Sequence, residues 1–237
     1  MSDTNDNIIH ISGVDHSYRK NHVLKDLSID LPLGESIAVL GANGSGKSTL
    51  LSILSGTRQC KGAKMVLNGS DLFKDKAAHR KLIGYVPQND PLLDELSVRD
   101  NLLLWYKGPA KELDAALSVP AVEMLGVRDM LKMRVRSLSG GMRKKVSIAT
   151  ALINNPQVLI LDEPAAALDL SVKAQIREYL EAFHSAGGTL ILTTHDEEDL
   201  SIITLLYLIK GGSANRCERV LRGDELLHAI RGDSDAL

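Results

Sequence analysis

A chain of 237 residues with 44% apolar and 24% charged side chains has the composition of an ordinary globular protein, long enough for one large domain or for one domain carrying an inserted subdomain. Its net charge of −2 lacks the basic footprint that non-specific nucleic-acid binding needs, so no nucleic-acid partner is expected. Aromatic residues make up only 3%, which leaves Leu, Ile, Val and Ala to build the core.

The first residues, MSDTNDNIIH, are polar and acidic, unlike a secretory or mitochondrial leader. Ile8–Val14, Val23–Leu31 and Lys64–Asn68 read as strands separated by turn residues, and Ile37–Leu40 as a buried strand running into a glycine-rich turn. Ser48–Ser55 has the spacing of an apolar-faced helix ended by Gly56, and Leu82–Val86 reads as a strand. From Asn89 to Ser137 the pattern is helical, punctuated by Pro91, Pro109 and Pro120. Arg143–Asn154 predicts a further helix. Val158–Leu161 and Leu190–Thr194 predict buried strands around a helix at Ser171–His184. A short strand at Leu205–Ile209 and a helix at Asp224–Arg231 close the chain.

Apolar runs alternating with helical patterns predict an α/β architecture, one domain over 1–237 with a helical subdomain inserted at about 89–140. Cys60 and Cys217 show no metal-type spacing and predict free thiols in a reducing compartment. The longest nearly apolar stretch, Leu200–Ile209, is only half of the roughly 20 residues needed to cross a bilayer, so no direct membrane insertion is expected.

Gly41-Ala42-Asn43-Gly44-Ser45-Gly46-Lys47-Ser48 fits the phosphate-loop pattern GxxxxGK(S/T), between a predicted strand and a predicted helix. Glycines allow backbone turns closed to other residues and aim N–H groups into one concavity, and the following helix adds the positive end of its dipole. Lys47 brings a point charge to the β and γ phosphates, while the Ser48 hydroxyl suits Mg²⁺. Val158-Leu159-Ile160-Leu161-Asp162-Glu163 ends a buried strand on two acids. Ligands gather at the carboxyl ends of parallel strands, and adjacent strand residues face opposite ways. Asp162 is accordingly expected to hold Mg²⁺, and Glu163 to act as general base on the attacking water. ATP and Mg²⁺ are the expected ligands.

Leu138-Ser139-Gly140-Gly141-Met142 precedes the helix predicted at Arg143–Asn154, and a serine with glycine amides at a helix N-terminus forms a second anion site. In this order the motifs resemble those of the ATP-binding cassette (ABC) ATPases, whose signature is LSGGQ, over about Ile8 to Gly212. The resemblance implies a P-loop NTPase core, a mixed sheet flanked by helices, with an N-terminal antiparallel β subdomain and an inserted helical subdomain. It implies adenine stacking for Tyr18, nucleotide contacts for Thr49 besides the loop, and a role for Gln88 at Mg²⁺ and the attacking water. Ala167-Leu168-Asp169 matches the family loop that crosses the dimer interface; without the family, Asp169 reads as a helix N-cap. His195, after the strand Leu190–Thr194, matches the histidine that bonds the γ phosphate. The other histidines receive no role.

The resemblance further implies a head-to-tail dimer, of two copies or of this chain with a related subunit. Lys47, Ser48, Thr49 and the Gly44–Lys47 amides would hold each ATP, with Ser139, Gly140 and Gly141 of the opposite copy closing on it. It implies separate transmembrane permease subunits, a place on the cytoplasmic face of the membrane through them, and a docking groove in the helical subdomain. Leu102–Leu104 and Trp105, the most apolar stretch of that subdomain, are expected either as docking surface or as its core, with core favoured. The alternative is an ABC ATPase outside transport, in iron–sulfur assembly or repair. Met142 replaces the signature glutamine, Ala165 and Ala166 stand where Thr and Ser or Gly are common, and Leu170 where proline is common; no charged or metal-binding group is lost. The stretch LSGGMRKK looks more like exporters than nutrient importers.

Overall fold

The computed structural model describes residues 7–231. A four-stranded antiparallel sheet contains β1 (Ile8–Tyr18), β2 (Asn21–Pro32), β4 (Lys64–Leu67) and β5 (Ser70–Asp71) in the order β2-β1-β4-β5. A six-stranded mixed sheet contains β3 (Ser36–Gly41), β6 (Ile83–Val86), β7 (Val158–Asp162), β8 (Thr189–Thr193), β9 (Leu205–Lys210) and β10 (Ser213–Arg216). Its order is β10-β9-β3-β8-β7-β6, with every pairing parallel except β10 on β9.

The apolar runs of the mixed sheet follow from burial on both faces. Ala38, Leu40, Leu159, Leu161, Leu190 and Leu192 pack into one core with the helices, while Ile37, Val39, Val158, Ile160 and Ile191 pack into the other, toward the antiparallel sheet. Each such Leu, Ile or Val side chain contributes about 1.5–3 kcal/mol by leaving water. Helix α1 (Lys47–Leu54) belongs to the second core through Leu50, Leu51, Ile53 and Leu54.

Helix α2 (Lys76–Leu82) and strands β5 and β10 go beyond the sequence expectation. KAAHRKL has no apolar stripe to betray α2; its start is fixed by Asp75, whose carboxylate accepts the Ala77 and Ala78 amides. The stretch expected to be helical holds short pieces: α3 (Val98–Trp105), α4 (Leu113–Ala116), α5 (Pro120–Glu123) and 3₁₀ turns. Buried Asn101 pins the loop before α3 by accepting from the Leu93 amide at 2.7 Å and donating to the Leu93 and Ser97 carbonyls. The apolar stretch in α3 divides: Leu102 is fully buried, whereas Leu104 and Trp105 are exposed, so the expectation of core fails for those two. Helices α6 (Gly140–Leu152), α7 (Leu170–Ser185) and α8 (Gly223–Arg231) complete the described residues. Among them no helix is long and apolar enough to cross a membrane, and both cysteines are free thiols.

Candidate functional site

The strand order assembles the site. Side by side, β3, β8, β7 and β6 end, respectively, at the Gly41–Lys47 loop, before His195, at Asp162 and before Gln88. The loop turns where only glycine is comfortable: Gly46 caps α1 at φ 108°, and a Cβ there would lie 2.8 Å or less from the side chains of Val23 and Leu24. Helices α2, α3, α6 and α7 each open on a capping side chain, but α1 opens on Gly46 with none. Its first amides and its positive dipole end are left for an external anion.

Lys47 is buried and donates to the Gly41 carbonyl at 2.9 Å and the Ala42 carbonyl at 3.2 Å, folding its ammonium across the loop. Burial pushes its pKa down, against the pull of Glu163 and Asp162. Ser45 Oγ is buried without a partner, and the Ser48 hydroxyl donates to Asp162 Oδ1 at 3.1 Å. An orphan hydroxyl, uncapped amides and a facing hydroxyl–carboxylate pair fit a polyphosphate with a hard cation. Ala42, Asn43 and Gly44 form the exposed crest of the loop. Tyr18 lies at the end of β1, its hydroxyl 3.2 Å from Thr49 Oγ1. Tyr18 is 44% exposed, with the Arg58 guanidinium 5.2 Å from the centre of its ring.

The two acids part for a different reason than strand alternation. Strand β7 stops at Asp162, and Glu163 turns out of it with φ 48°, a left-handed conformation costly for a side chain with a Cβ. Glu163 there meets two residues that the resemblance assigns to the site: Gln88 Nε2 donates to its Oε2 at 3.0 Å, and His195 Nε2 stands 3.1 Å from its Oε1. A cleft of about 410 Å³ opens beside Glu163 and His195, lined also by Ala165–Ala167, Lys173 and Thr194. Gln88 contacts Glu163 rather than the Ser48–Asp162 pair at which a metal role was expected.

The signature glycines lie inside α6, not before it as the sequence suggested. Ser139 caps the helix by accepting the Met142 amide at 3.3 Å, and Gly141 lacks a Cβ because one would stand 2.7 Å from Val172 of α7. Asp169 caps α7 through the Val172 amide at 3.0 Å, as its sequence position suggested. Met142 packs against the apolar core.

Several contributors were invisible in the motif pattern. Thr193 lies opposite Asp162 in the β7–β8 register and bonds both acids. Lys173 pairs with Asp196 at 2.9 Å, holding the Asp196 carboxyl below its ordinary range and tying the residue after His195 to α7. Buried Asp199 accepts from Thr194 Oγ1 at 2.6 Å and faces Arg177, and burial raises its pKa. Arg143 and Lys144 of α6 hold the segment after Gln88. Only the strand register and the meeting of elements remote in sequence reveal these partners.

The family model described as "ABC transporter" matches residues 24–166. The linearmycin resistance ATP-binding protein of Bacillus subtilis is 31% identical over 202 residues, covering 83% of this chain and 64% of that protein. The Nod factor export ATP-binding protein I of Rhizobium etli is 35% identical, covering 86% and 66%, and the sulfate/thiosulfate import ATP-binding protein of Escherichia coli K12 is 34% identical, covering 81% and 54%. The chain thus spans about two thirds or less of the length of these relatives. Among solved structures, an ATP-binding subunit of an ABC transporter superposes with a TM-score of 0.79 at 23% identity, covering 94% of this chain and 99% of that one. A dimeric ATP-binding cassette in a post-hydrolysis state bound to ADP and Pi gives 0.75 at 26% identity, covering 91% and 99%. With more than half its length matched by the family model and its whole architecture shared with solved cassettes, the chain belongs to the ABC transporter family.

Proposed function

We propose that this protein binds MgATP at the Gly41–Ser48 loop and hydrolyses it, as the motor subunit that drives a separate membrane permease. The observation that carries the reading is the position of Glu163, turned out of β7 between Gln88 and His195 and one residue from the Ser48–Asp162 pair. The loop amides and Lys47 grip the phosphates, with Thr49 beside them and Tyr18 toward the base. Ser48 and Asp162 are the groups suited to the Mg²⁺ that accompanies ATP, and Gln88, which now bonds Glu163, would join them once nucleotide is bound; the ion would supply neutralisation of phosphate charge. Glu163 takes a proton from water as the water oxygen attacks the γ phosphorus and the bond to the β–γ bridging oxygen breaks. His195 orients that water and the γ phosphate.

One chain carries two anion sites, at α1 and at Ser139 with Gly140 and Gly141 on α6, and a head-to-tail pair lets each ATP use both. The pairing is with a second copy or a related subunit. The chain is, on this proposal, one cassette over 1–237 with a helical subdomain inserted at about 89–140. Support for transport comes from the relatives, which are named for resistance, export and import; the lean toward export rests on Leu138–Lys145.

One surface suits the proposed permease. A cleft of about 530 Å³ beside α1 and α2 is lined by Arg58, Lys61, Lys76 and Arg80 over apolar Leu72 and Phe73, with no carboxylate in the lining among the described residues. Lys107 donates to the carbonyl of Arg80 at the rim of the cleft, and Leu104 and Trp105, close to Lys107 in sequence, are exposed. An acidic, apolar-anchored segment of a permease on the cytoplasmic face of the membrane complements that surface. The testing experiment is Glu163→Gln: it should bind MgATP, stop turnover and accumulate as an ATP-dependent dimer on sizing. Turnover at the wild-type rate by this variant refutes the assigned base.

A further inference from the structure

The segment after Gln88 is gripped by the helix that Ser139 caps. Arg143 meets Asp90 as a fork, Nε to Oδ2 at 3.1 Å and Nη2 to Oδ1 at 2.9 Å, and its Nη1 reaches Asp94 at 2.5 Å. Both members of the Arg143–Asp90 pair are mostly sheltered, at 26% and 20% exposure, so solvent screens it less than an open pair. The fork also fixes the orientation of the carboxylate, which a lysine cannot do as well. Asp90 Oδ1 accepts in addition from the Leu92 amide at 3.2 Å, so the guanidinium steadies the turn itself. The next residue, buried Lys144, points its ammonium at the Gln88 carbonyl at 3.4 Å. Consecutive cations one turn into α6 therefore hold the Gln88 backbone and the side chain two residues on. At the other end of that residue, Gln88 Nε2 donates to Glu163.

We propose that Arg143 is a positioning residue: through Asp90, and with Lys144 on the Gln88 carbonyl, it makes the Gln88 segment ride on α6, so that Gln88 meets Glu163 only when the Ser139 end of that helix is in place. Its importance for turnover rests on the reading of Glu163 as the base. Arg143 itself touches neither nucleotide nor water in this scheme. It acts by carrying the position of the second anion site to the water-activating carboxylate of the same chain.

Hydrogen exchange on the full chain reads the link without needing turnover. In Arg143→Met, amide exchange over residues 88–94 should rise roughly fivefold or more, with the loop at 41–48 unchanged. In ATPase assays the same variant should lose roughly tenfold in kcat at nearly constant KM. That loss should vanish in a Gln88→Ala background, and Arg143→Lys should restore protection and turnover in part. Unchanged exchange over 88–94 overturns the proposal, as does an equal kcat loss with and without Gln88. A wild-type protein lacking ATPase activity would instead count against the proposed function, and exchange alone would then decide the link.

Discussion

Thr193 donates its hydroxyl to Asp162 Oδ1 at 2.6 Å, and its own Oγ1 accepts the Glu163 amide at 3.0 Å. One buried side chain on β8 thus fixes both the carboxylate that faces Ser48 and the backbone turn that throws Glu163 toward Gln88 and His195. The Glu163 amide also reaches the Thr193 carbonyl at 3.1 Å, so the turn is held twice by one residue. Thr193→Val keeps shape but removes the donor to a buried carboxylate. Stability should fall by about 1–3 kcal/mol, read as a shift of the urea midpoint, and kcat should fall with it. Thr193→Ser should stay close to wild type. Equal behaviour of the valine and serine variants would show that the hydroxyl has no such part.

His79 provides a pH test outside the site. Its ring is buried, with Nε2 2.8 Å from the Leu54 carbonyl and Cε1 close against Gly56. Burial pushes its pKa below the ordinary 6.5; the Leu54 carbonyl pulls it partly back, and Arg80 and Lys107 push it down further. Between the lowered folded value and 6.5 the unfolded chain holds a proton that the folded chain refuses, so this group's contribution is full above 6.5 and is lost as pH falls through that window. His79→Gln keeps a donor for the carbonyl and cannot titrate there. Calorimetry from about pH 7.5 to about pH 5.5 should show a shallower fall of Tm in the variant than in wild type. Identical slopes would mean that His79 does not titrate across folding.

Legibility in the sequence tracked how local each interaction is. The Gly41–Ser48 loop is readable because its whole pattern lies within eight consecutive positions. Tyr18, Gln88, Asp162, Glu163 and His195 were placed by family resemblance and by strand ends; β6, β7 and β8 set Gln88, Asp162, Glu163 and His195 after neighbouring strand ends, while Tyr18 comes from β1 of the other sheet. The glycines of the signature misled the helix boundary, since glycine disfavours a helix; the Ser139 cap and the close passage of Gly141 by Val172 outweigh that preference. Glu163 was assigned an orientation from the two-residue period of strands, which ends one residue too soon to apply. Thr193 and the Arg143–Asp90 fork stayed hidden because each depends on register or packing between elements far apart in sequence.

The most direct test of the whole account is calorimetric titration of MgATP into the wild-type chain and into Lys47→Ala. The buried ammonium now bonds the Gly41 and Ala42 carbonyls and is the one side-chain cation held within the loop's own sequence. Wild type should bind, and the alanine variant, folded by circular dichroism, should bind at least roughly 100-fold more weakly. Equal affinity in the two proteins, or no binding by wild type, would contradict the central claim that this loop is where the triphosphate sits.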